Sequence, residues 1–164
     1  MTIKAFGQQA CRPNKNGISE MVETVASLLK GKGSAVHSVS PDTPVYDAVG
    51  MMAAKGIGAV LVMERGSLVG ILSAKDYGTR VVLKGLNGKD VRTLEVMTSP
   101  VVTIGPEVKI MDAMQILTTK KMRHLPVLEN GKLVGVVTLG DLVREVLADQ
   151  EHKIDQLMRY VGHR

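Results

Sequence analysis

Aromatic residues are scarce in this sequence. Its 164 residues include one phenylalanine, three tyrosines and no tryptophan, while ten methionines and many aliphatic residues supply the apolar surface. We therefore expect a core of aliphatic side chains. Proteins that stack the bases of single-stranded nucleic acid on aromatic rings need several such rings, so the composition argues against that class. The length fits one compact domain, so we expect no large multidomain enzyme.

Cysteine and long apolar runs are also lacking. Cys11 is the single cysteine, which excludes an internal disulfide and a metal site with two thiolates, so we predict a cytoplasmic protein. No segment approaches the roughly 18 to 20 apolar residues of a membrane span, and residues 1–20 lack the apolar centre of a signal peptide. Those residues contain one acid, Glu20. Few acids are also typical of organelle transit peptides, which is the alternative.

Basic residues are in moderate excess. Lysine and arginine number 21 against 16 acidic residues, which gives a formal net charge of +5. This balance favours anionic partners without identifying one. Phosphate-bearing small molecules and nucleic acid are both compatible with it.

The chain contains two copies of one unit. Val39–Leu83 aligns without gaps on Ile104–Ala148, at an offset of 65 positions. The identical pairs include Pro41/Pro106, Asp47/Asp112, Ala48/Ala113, Gly66/Gly131, Gly70/Gly135 and Asp76/Asp141. A duplicated unit of this length predicts two similar structural repeats.

Each copy is predicted to fold as helix, strand, strand, helix. Apolar residues at helical spacing are followed by two short apolar runs with a glycine between them, which is typical of a hairpin, and then by a second helix. In the first copy the elements are Val45–Ala54, Ala59–Met63, Leu68–Leu72 and Ala74–Lys84. In the second they are Ile110–Thr119, Leu125–Leu128, Leu133–Val137 and Leu139–Asp149. The fold class is α/β (α+β), and we expect the copies to pack against each other in one core.

Further elements flank the two copies. A helix Ser19–Lys30 is predicted with Ser19 as N-cap, a short strand is predicted before each copy, and a helix is predicted to continue over Gln150–Tyr160. The two strands are Ala35–Val39 and Val101–Ile104. We divide the chain into a mobile segment 1–17, a helix and linker 18–34, the first repeat 35–90, the second repeat 91–149 and a C-terminal helix 150–164.

The same seven-residue motif ends the second strand of each copy. It consists of glycine, two apolar residues, Ser or Thr, two further residues and aspartate, over 70–76 and 135–141. Ser73 and Thr138 stand where a strand passes into a helix, so their hydroxyls and the free N–H groups of the first turn can hold a phosphate. Asp76 and Asp141 follow in the first turn, where a carboxylate can accept hydrogen bonds from both hydroxyls of a ribose. The alternative is a capping box that only terminates the helix.

This duplicated motif resembles the signature of CBS domains, named for cystathionine β-synthase, and the resemblance covers about Lys30–Asp149. It implies two ligand pockets between the repeats, each holding an adenosine nucleotide whose adenine enters an apolar slot of the opposite repeat. Carried over, the first pocket consists of Asp141, Thr138, Gly140, Val36, His37, Ile57, Gly58 and Ala59. The second consists of Asp76, Ser73, Lys75, Val101, Val102, Met122, Arg123 and His124.

The resemblance implies a regulatory sensor of AMP, ADP, ATP or NAD that signals to an unidentified partner protein. It also implies a flat homodimer formed through Val45–Lys55 and Ile110–Lys120, with the C-terminal helix as a possible addition. We expect no membrane partner, no catalytic cofactor and no metal site, because neither repeat histidine has a second ligand residue at metal spacing. If Lys75, Arg123 and His124 turn inward, the Asp76 pocket prefers ligands with more phosphate.

Two other functions compete with this interpretation. A nucleic-acid binder is the first, since Lys30, Lys32, Lys120, Lys121 and Arg123 are basic, although these residues are scattered and no reading motif accompanies them. An enzyme is the third hypothesis, after the regulatory sensor and the nucleic-acid binder. The sequence has no glycine-rich phosphate loop and no Ser, His and Asp set with the spacing of a familiar motif, so we assign no catalytic residues.

Overall fold

The computed structural model describes residues 23–161 and contains two similar α/β halves. The first half contains β1 (Ser38–Val39), α2 (Val45–Lys55), β2 (Ala59–Glu64), β3 (Ser67–Ser73) and α3 (Ala74–Arg80). The second contains α5 (Ile110–Thr119), β4 (His124–Glu129), β5 (Lys132–Thr138) and α6 (Leu139–Val161). Two further helices, α1 (Val25–Lys32) and α4 (Thr93–Val96), precede the first and the second half. The predicted order of helix, strand, strand and helix is confirmed in both copies.

Each hairpin has the same turn and the same irregularity. The central turn residues have positive φ in both copies, at 49° and 80° for Arg65 and Gly66 and at 50° and 76° for Asn130 and Gly131. This conformation matches the twist of antiparallel strands and favours glycine at the second position. Both hairpins also shift register at equivalent places, between Val62 and Met63 and between Val127 and Leu128. The sequence repeat is therefore a structural repeat down to single residues.

Several predicted boundaries are wrong. The strand expected over Ala35–Val39 is limited to β1, which pairs in parallel with β2, and its counterpart in the second half is a single parallel bridge from Ile104 to Val127. The first helix begins at Val25 with Thr24 as its N-cap, whereas Ser19 lies outside the described residues, as does Cys11. The helix predicted over Ala74–Lys84 ends at Arg80 and is followed by one 3-10 turn, Val82–Lys84.

The expectation of a single shared core is also wrong, because each half buries its own cluster. The first cluster includes Val45, Met52, Val62 and Leu72, and it is completed by residues that precede the second half. These are Val91 and Val96. The second cluster includes Ile110, Leu117, Leu125, Val137 and Leu142, and it is completed by residues of α1. These are Val25, Leu28 and Leu29. The core of each half is therefore completed by apolar residues from the segment that precedes the other half.

The helix α6 is one continuous helix, so the continuation predicted over Gln150–Tyr160 is confirmed. Its second part, from Gln150 to Val161, is almost entirely exposed, including the apolar side chains of Ile154, Leu157 and Met158. Within residues 23–161, no helix combines the length and the apolar character needed to cross a bilayer.

Candidate functional site

A cavity of about 380 Å³ lies where the two halves meet. Its floor includes Leu61 and Ile71, two buried residues of β2 and β3 that belong to neither core cluster. Val136, at the position in the second repeat equivalent to Ile71, lines it from the other half. The cavity is thus lined in part by apolar residues that lie between the repeats and belong to neither core cluster.

Most residues predicted for the first pocket line this cavity. The predicted residues that do so are Val36, His37, Ile57, Gly58, Ala59, Thr138 and Asp141. Gly140 follows in the first turn of α6, where an added Cβ would lie 3.8 Å from the Thr138 hydroxyl. The structure therefore brings together residues 36–37, residues 57–59 and the second motif, which are far apart in sequence.

Other cavity residues were missed by sequence reasoning. They are Lys32, Ala35, Gly56, Leu61, Ile71 and Val136. Lys32 is the last residue of α1 and lies outside the repeats, so the repeat alignment carries no signal for it. Leu61 and Ile71 are apolar strand residues, and the alternating pattern alone does not separate those that face a core from those that face a cavity.

The Asp141 carboxylate is the most strongly engaged polar group in the cavity. Its Oδ2 accepts a 2.9 Å hydrogen bond from the Thr138 N–H and a bond from the Lys32 ammonium, while Oδ1 accepts from Arg144 at 2.6 Å. Burial favours the neutral acid and acts to raise the pKa of Asp141. The hydrogen bonds from Lys32 and Thr138 outweigh burial, so the pKa is held below its ordinary value. The side chain is only 8% exposed, and it is an anion at neutral pH.

Lys32 reaches the cavity because α1 packs on the second half. A Cβ added at Gly135, the first residue of the second motif, would lie 2.8 Å from Leu29 Cδ2. The motif glycine therefore leaves room for Leu29, and Lys32 projects from the same face of the helix three residues later. In the first half, the side chain of Met97 covers Gly70 in the same way.

His124 was predicted for the Asp76 pocket, and the structure shows it at the other cavity. It lines the Asp141 cavity, where its ring atoms Cε1 and Nε2 lie 3.3 and 3.4 Å from the position of a Cβ on Gly58. Gly58 belongs to the opposite half, and its lack of a side chain lets the ring cross the boundary between the repeats. Burial lowers the pKa of His124 below 6.5, and the charges of Lys32 and Arg123 lower it further, opposed by that of Asp141.

This lowered pKa predicts a stability that depends on pH. On acidification the unfolded chain protonates this histidine before the folded protein does, so the free energy of unfolding falls as pH drops below about 6.5 and levels off below the folded pKa. His124→Gln is expected to reduce this slope, whereas His152→Gln, at an exposed position of α6, is expected to preserve it. Urea unfolding from about pH 7.5 to 5.5 measures the difference. Equal slopes in the two variants would refute the prediction.

The Asp76 carboxylate is engaged differently. Its Oδ2 accepts from the N–H and the hydroxyl of Ser73 at 2.9 and 2.6 Å, and its Oδ1 accepts from the Thr98 hydroxyl at 3.3 Å. Arg80 lies 3.6 Å from Oδ1. Ser73 in turn caps the Asp76 N–H, so the capping box foreseen as the alternative is present. Thr138 and Asp141 exchange the same pair of bonds.

The remaining residues predicted for the Asp76 pocket are spread over its surroundings. Lys75 and Arg123 are exposed. Val102 and Met122 pack against the second core cluster, and Val101 is half-buried. The preference of the Asp76 pocket for ligands with more phosphate therefore stays a prediction. Lys32 and His124 bring charged or ionisable groups to the Asp141 cavity. In residues 23–161, no group of three or more His, Cys, Asp or Glu side chains is arranged to hold a metal.

Comparison with known proteins gives consistent matches over both halves. The model of the CBS domain family matches residues 33–77 and 91–148. The mitochondrial CBS domain-containing protein CBSX3 of Arabidopsis thaliana is 30% identical over 162 residues, covering 93% of this chain and 78% of the relative. YhcV of Bacillus subtilis is 32% identical over 115 residues, covering 70% of this chain and 81% of the relative.

A solved structure of a protein with CBS domains from Burkholderia ambifaria MC40-6 superposes with a TM-score of 0.75. It is 42% identical, and the match covers 78% of this chain and 96% of that one. The CBS-domain protein ATU1752 of Agrobacterium tumefaciens superposes with a TM-score of 0.72 at 34% identity, covering 75% of this chain and 98% of that one.

Proposed function

The chain belongs to the CBS domain family, and on that premise we propose that it is a regulatory module that binds an adenosine nucleotide in the cavity at Asp141. The observation that carries the proposal is the composition of this cavity. A buried carboxylate at a helix N-terminus faces apolar residues contributed by both halves. This pairing of one acid with aliphatic walls suits a ligand that has a hydroxylated sugar and a flat base.

Each part of an adenosine nucleotide has a matching group in the cavity. Asp141 can accept from the ribose hydroxyls, since a carboxylate offers lone pairs on both oxygens. Ile57 and Val136 supply apolar contacts for the faces of adenine. Lys32, together with the positive end of the α6 helix dipole, attracts phosphate. AMP, ADP, ATP and NAD all contain these parts. The second pocket, at Asp76, remains a prediction from the motif.

A thermal-shift panel tests the proposal. AMP, ATP, NAD, NADH, S-adenosylmethionine and a DNA oligonucleotide are compared with buffer on the full chain. A ligand that binds only the folded state stabilises it by about 2.7 kcal/mol at a concentration 100 times its Kd. We expect the melting temperature to rise with at least one adenosine nucleotide. A response to DNA alone would favour the nucleic-acid alternative and overturn the proposal.

We also propose that the module is a homodimer formed through the outer faces of α2 and α5. Each helix buries one apolar face in its own half, yet Tyr46 on α2 and Met111 on α5 remain 55% and 51% exposed. An exposed apolar side chain on the outer face of each helix favours association of two copies. Ligand binding between the repeats then alters the packing of these helices, which passes the signal to a partner protein.

The proposed role is regulatory rather than catalytic. Asp141 is an acceptor for ligand hydroxyls, and we assign no residue of the cavity to a reaction step. We further propose a cytoplasmic location on the basis of the low cysteine content. The name of the Arabidopsis relative places that protein in the mitochondrion, so localisation of a tagged chain distinguishes the two compartments.

A further inference from the structure

The carboxylate proposed to bind ribose is already bound to cations. Lys32 contacts Oδ2 of Asp141, and Arg144 donates to Oδ1 at 2.6 Å. A ribose that donates two hydroxyl hydrogen bonds must therefore replace at least one of these partners. The Arg144 side chain is 75% exposed, whereas Lys32 is 36% exposed and lines the cavity. Of these two partners, Lys32 is therefore the one that a ligand in the cavity has to displace from Asp141.

The position of Lys32 is built into the packing of α1. Its ammonium also donates to the carbonyl of Val136 at 2.9 Å, so two acceptors of the second half hold it. Leu29, one turn earlier in α1, is buried against Gly135. The backbone of α1 is thus fixed by apolar contacts, while the flexible lysine side chain can move between acceptors without moving the helix.

The equivalent site in the first half lacks this cation. Arg80 approaches Asp76 from the helix that the aspartate caps, as Arg144 approaches Asp141. Each aspartate also accepts a hydrogen bond from the segment that precedes the other half. The donor to Asp76 is the neutral hydroxyl of Thr98, whereas the donor to Asp141 is the ammonium of Lys32. Lys32 is therefore a feature of the Asp141 cavity and not a general consequence of the repeated motif.

We infer that Lys32 is an internal competitor for the ribose position and makes the cavity select phosphorylated nucleosides over uncharged ones. This inference rests on the proposed function. An uncharged nucleoside that displaces Lys32 from Asp141 leaves the ammonium without an anion in a partly buried site. A nucleotide offers its phosphate to the displaced ammonium in exchange for the lost carboxylate. The ribose thus replaces Lys32 as a partner of Asp141, and only a ligand with a phosphate gives the displaced Lys32 a new anionic partner.

Calorimetric titration of AMP and adenosine against the wild-type chain and Lys32→Met tests the inference. Methionine keeps most of the length of the side chain and removes the charge. In the variant we expect adenosine to bind more tightly, because its ribose no longer competes with an ammonium. AMP is expected to bind more weakly, because its phosphate loses a cation. The preference for AMP over adenosine should fall at least tenfold, the scale of one charge-assisted hydrogen bond.

Lys30→Met is the matched control, since Lys30 is an exposed lysine of the same helix and is expected to preserve the wild-type preference. Lys32→Gln replaces the methionine variant if that one does not fold. An unchanged preference in the Lys32 variant would overturn the inference and leave the proposed function intact. Weaker AMP binding with unchanged adenosine binding would make Lys32 a simple phosphate ligand and overturn the competitor role. A wild-type chain that binds neither compound and responds to no adenosine nucleotide in the thermal-shift panel would overturn the proposed function itself.

Discussion

Asp141→Ala is expected to weaken AMP binding by about ten- to a hundredfold, the range for losing hydrogen bonds to a charged group. The reason is the position of this carboxylate, which is buried at the end of an apolar cavity and is the anion that faces its interior. Titration calorimetry measures the affinity. The expected loss exceeds any effect of a change in packing, because the aliphatic walls of the cavity stay in place.

Asp76→Ala is the matched control for this experiment. Each aspartate side chain accepts from the backbone N–H of the preceding Ser73 or Thr138. Alanine leaves that donor without its partner, so both variants should lose stability, by about 1 to 3 kcal/mol. Only the Asp141 variant should lose affinity at the cavity between the halves. If both variants lower the melting temperature and neither changes the affinity for AMP, the motif is a helix cap and nothing more.

Leu117→Ala is expected to lower the free energy of unfolding by about 2 to 5 kcal/mol. Leu117 is fully buried on the inner face of α5, within the second cluster. Truncation removes apolar contacts and leaves a cavity that the close-packed strands cannot fill. Urea unfolding, monitored by circular dichroism, gives the change.

Met111→Ala is the control on the same helix. Met111 is 51% exposed on the outer face of α5, and a surface substitution of this kind changes the stability of the monomer by no more than about 0.5 kcal/mol. It should instead shift the dimer towards monomer, as measured by light scattering. Equal destabilisation by the two substitutions would contradict the assignment of an inner and an outer face. A wild-type chain with the mass of a monomer, 17.6 kDa, would contradict the proposed dimer.

The repeat is the reason that much of the fold could be predicted from the sequence. Two aligned copies carry the same turn glycine and the same motif, so each weak local pattern is observed twice. This is why α5 was located to the residue, Ile110–Thr119. The residues of the Asp141 pocket came instead from the resemblance to CBS domains, and most of them line one cavity.

The segments that precede each repeat could not be predicted in the same way. Nothing in the local pattern of α1 shows that Leu28 and Leu29 pack on the second half, or that Val96 packs on the first. These packing contacts join segments that are far apart in the sequence, and for this reason the expectation of one core was wrong. Lys32 was missed for the same reason.

His124 illustrates a second limit. Whether a residue at the start of a strand faces its own half or the opposite one depends on the side chain it meets there. His124 meets Gly58, and a side chain at that position would crowd the ring. The alignment of the two copies records both residues but does not show that they are neighbours.

The central claim is that an adenosine nucleotide binds between the repeats at Asp141, and a crystal structure of the chain with AMP tests it most directly. The account predicts density for the ribose within hydrogen-bond distance of Asp141, with adenine against residues 57–59 and the phosphate near the start of α6. Nucleotide density on the outer surface of the module, or none in crystals grown at a concentration of AMP that raises the melting temperature, would contradict it.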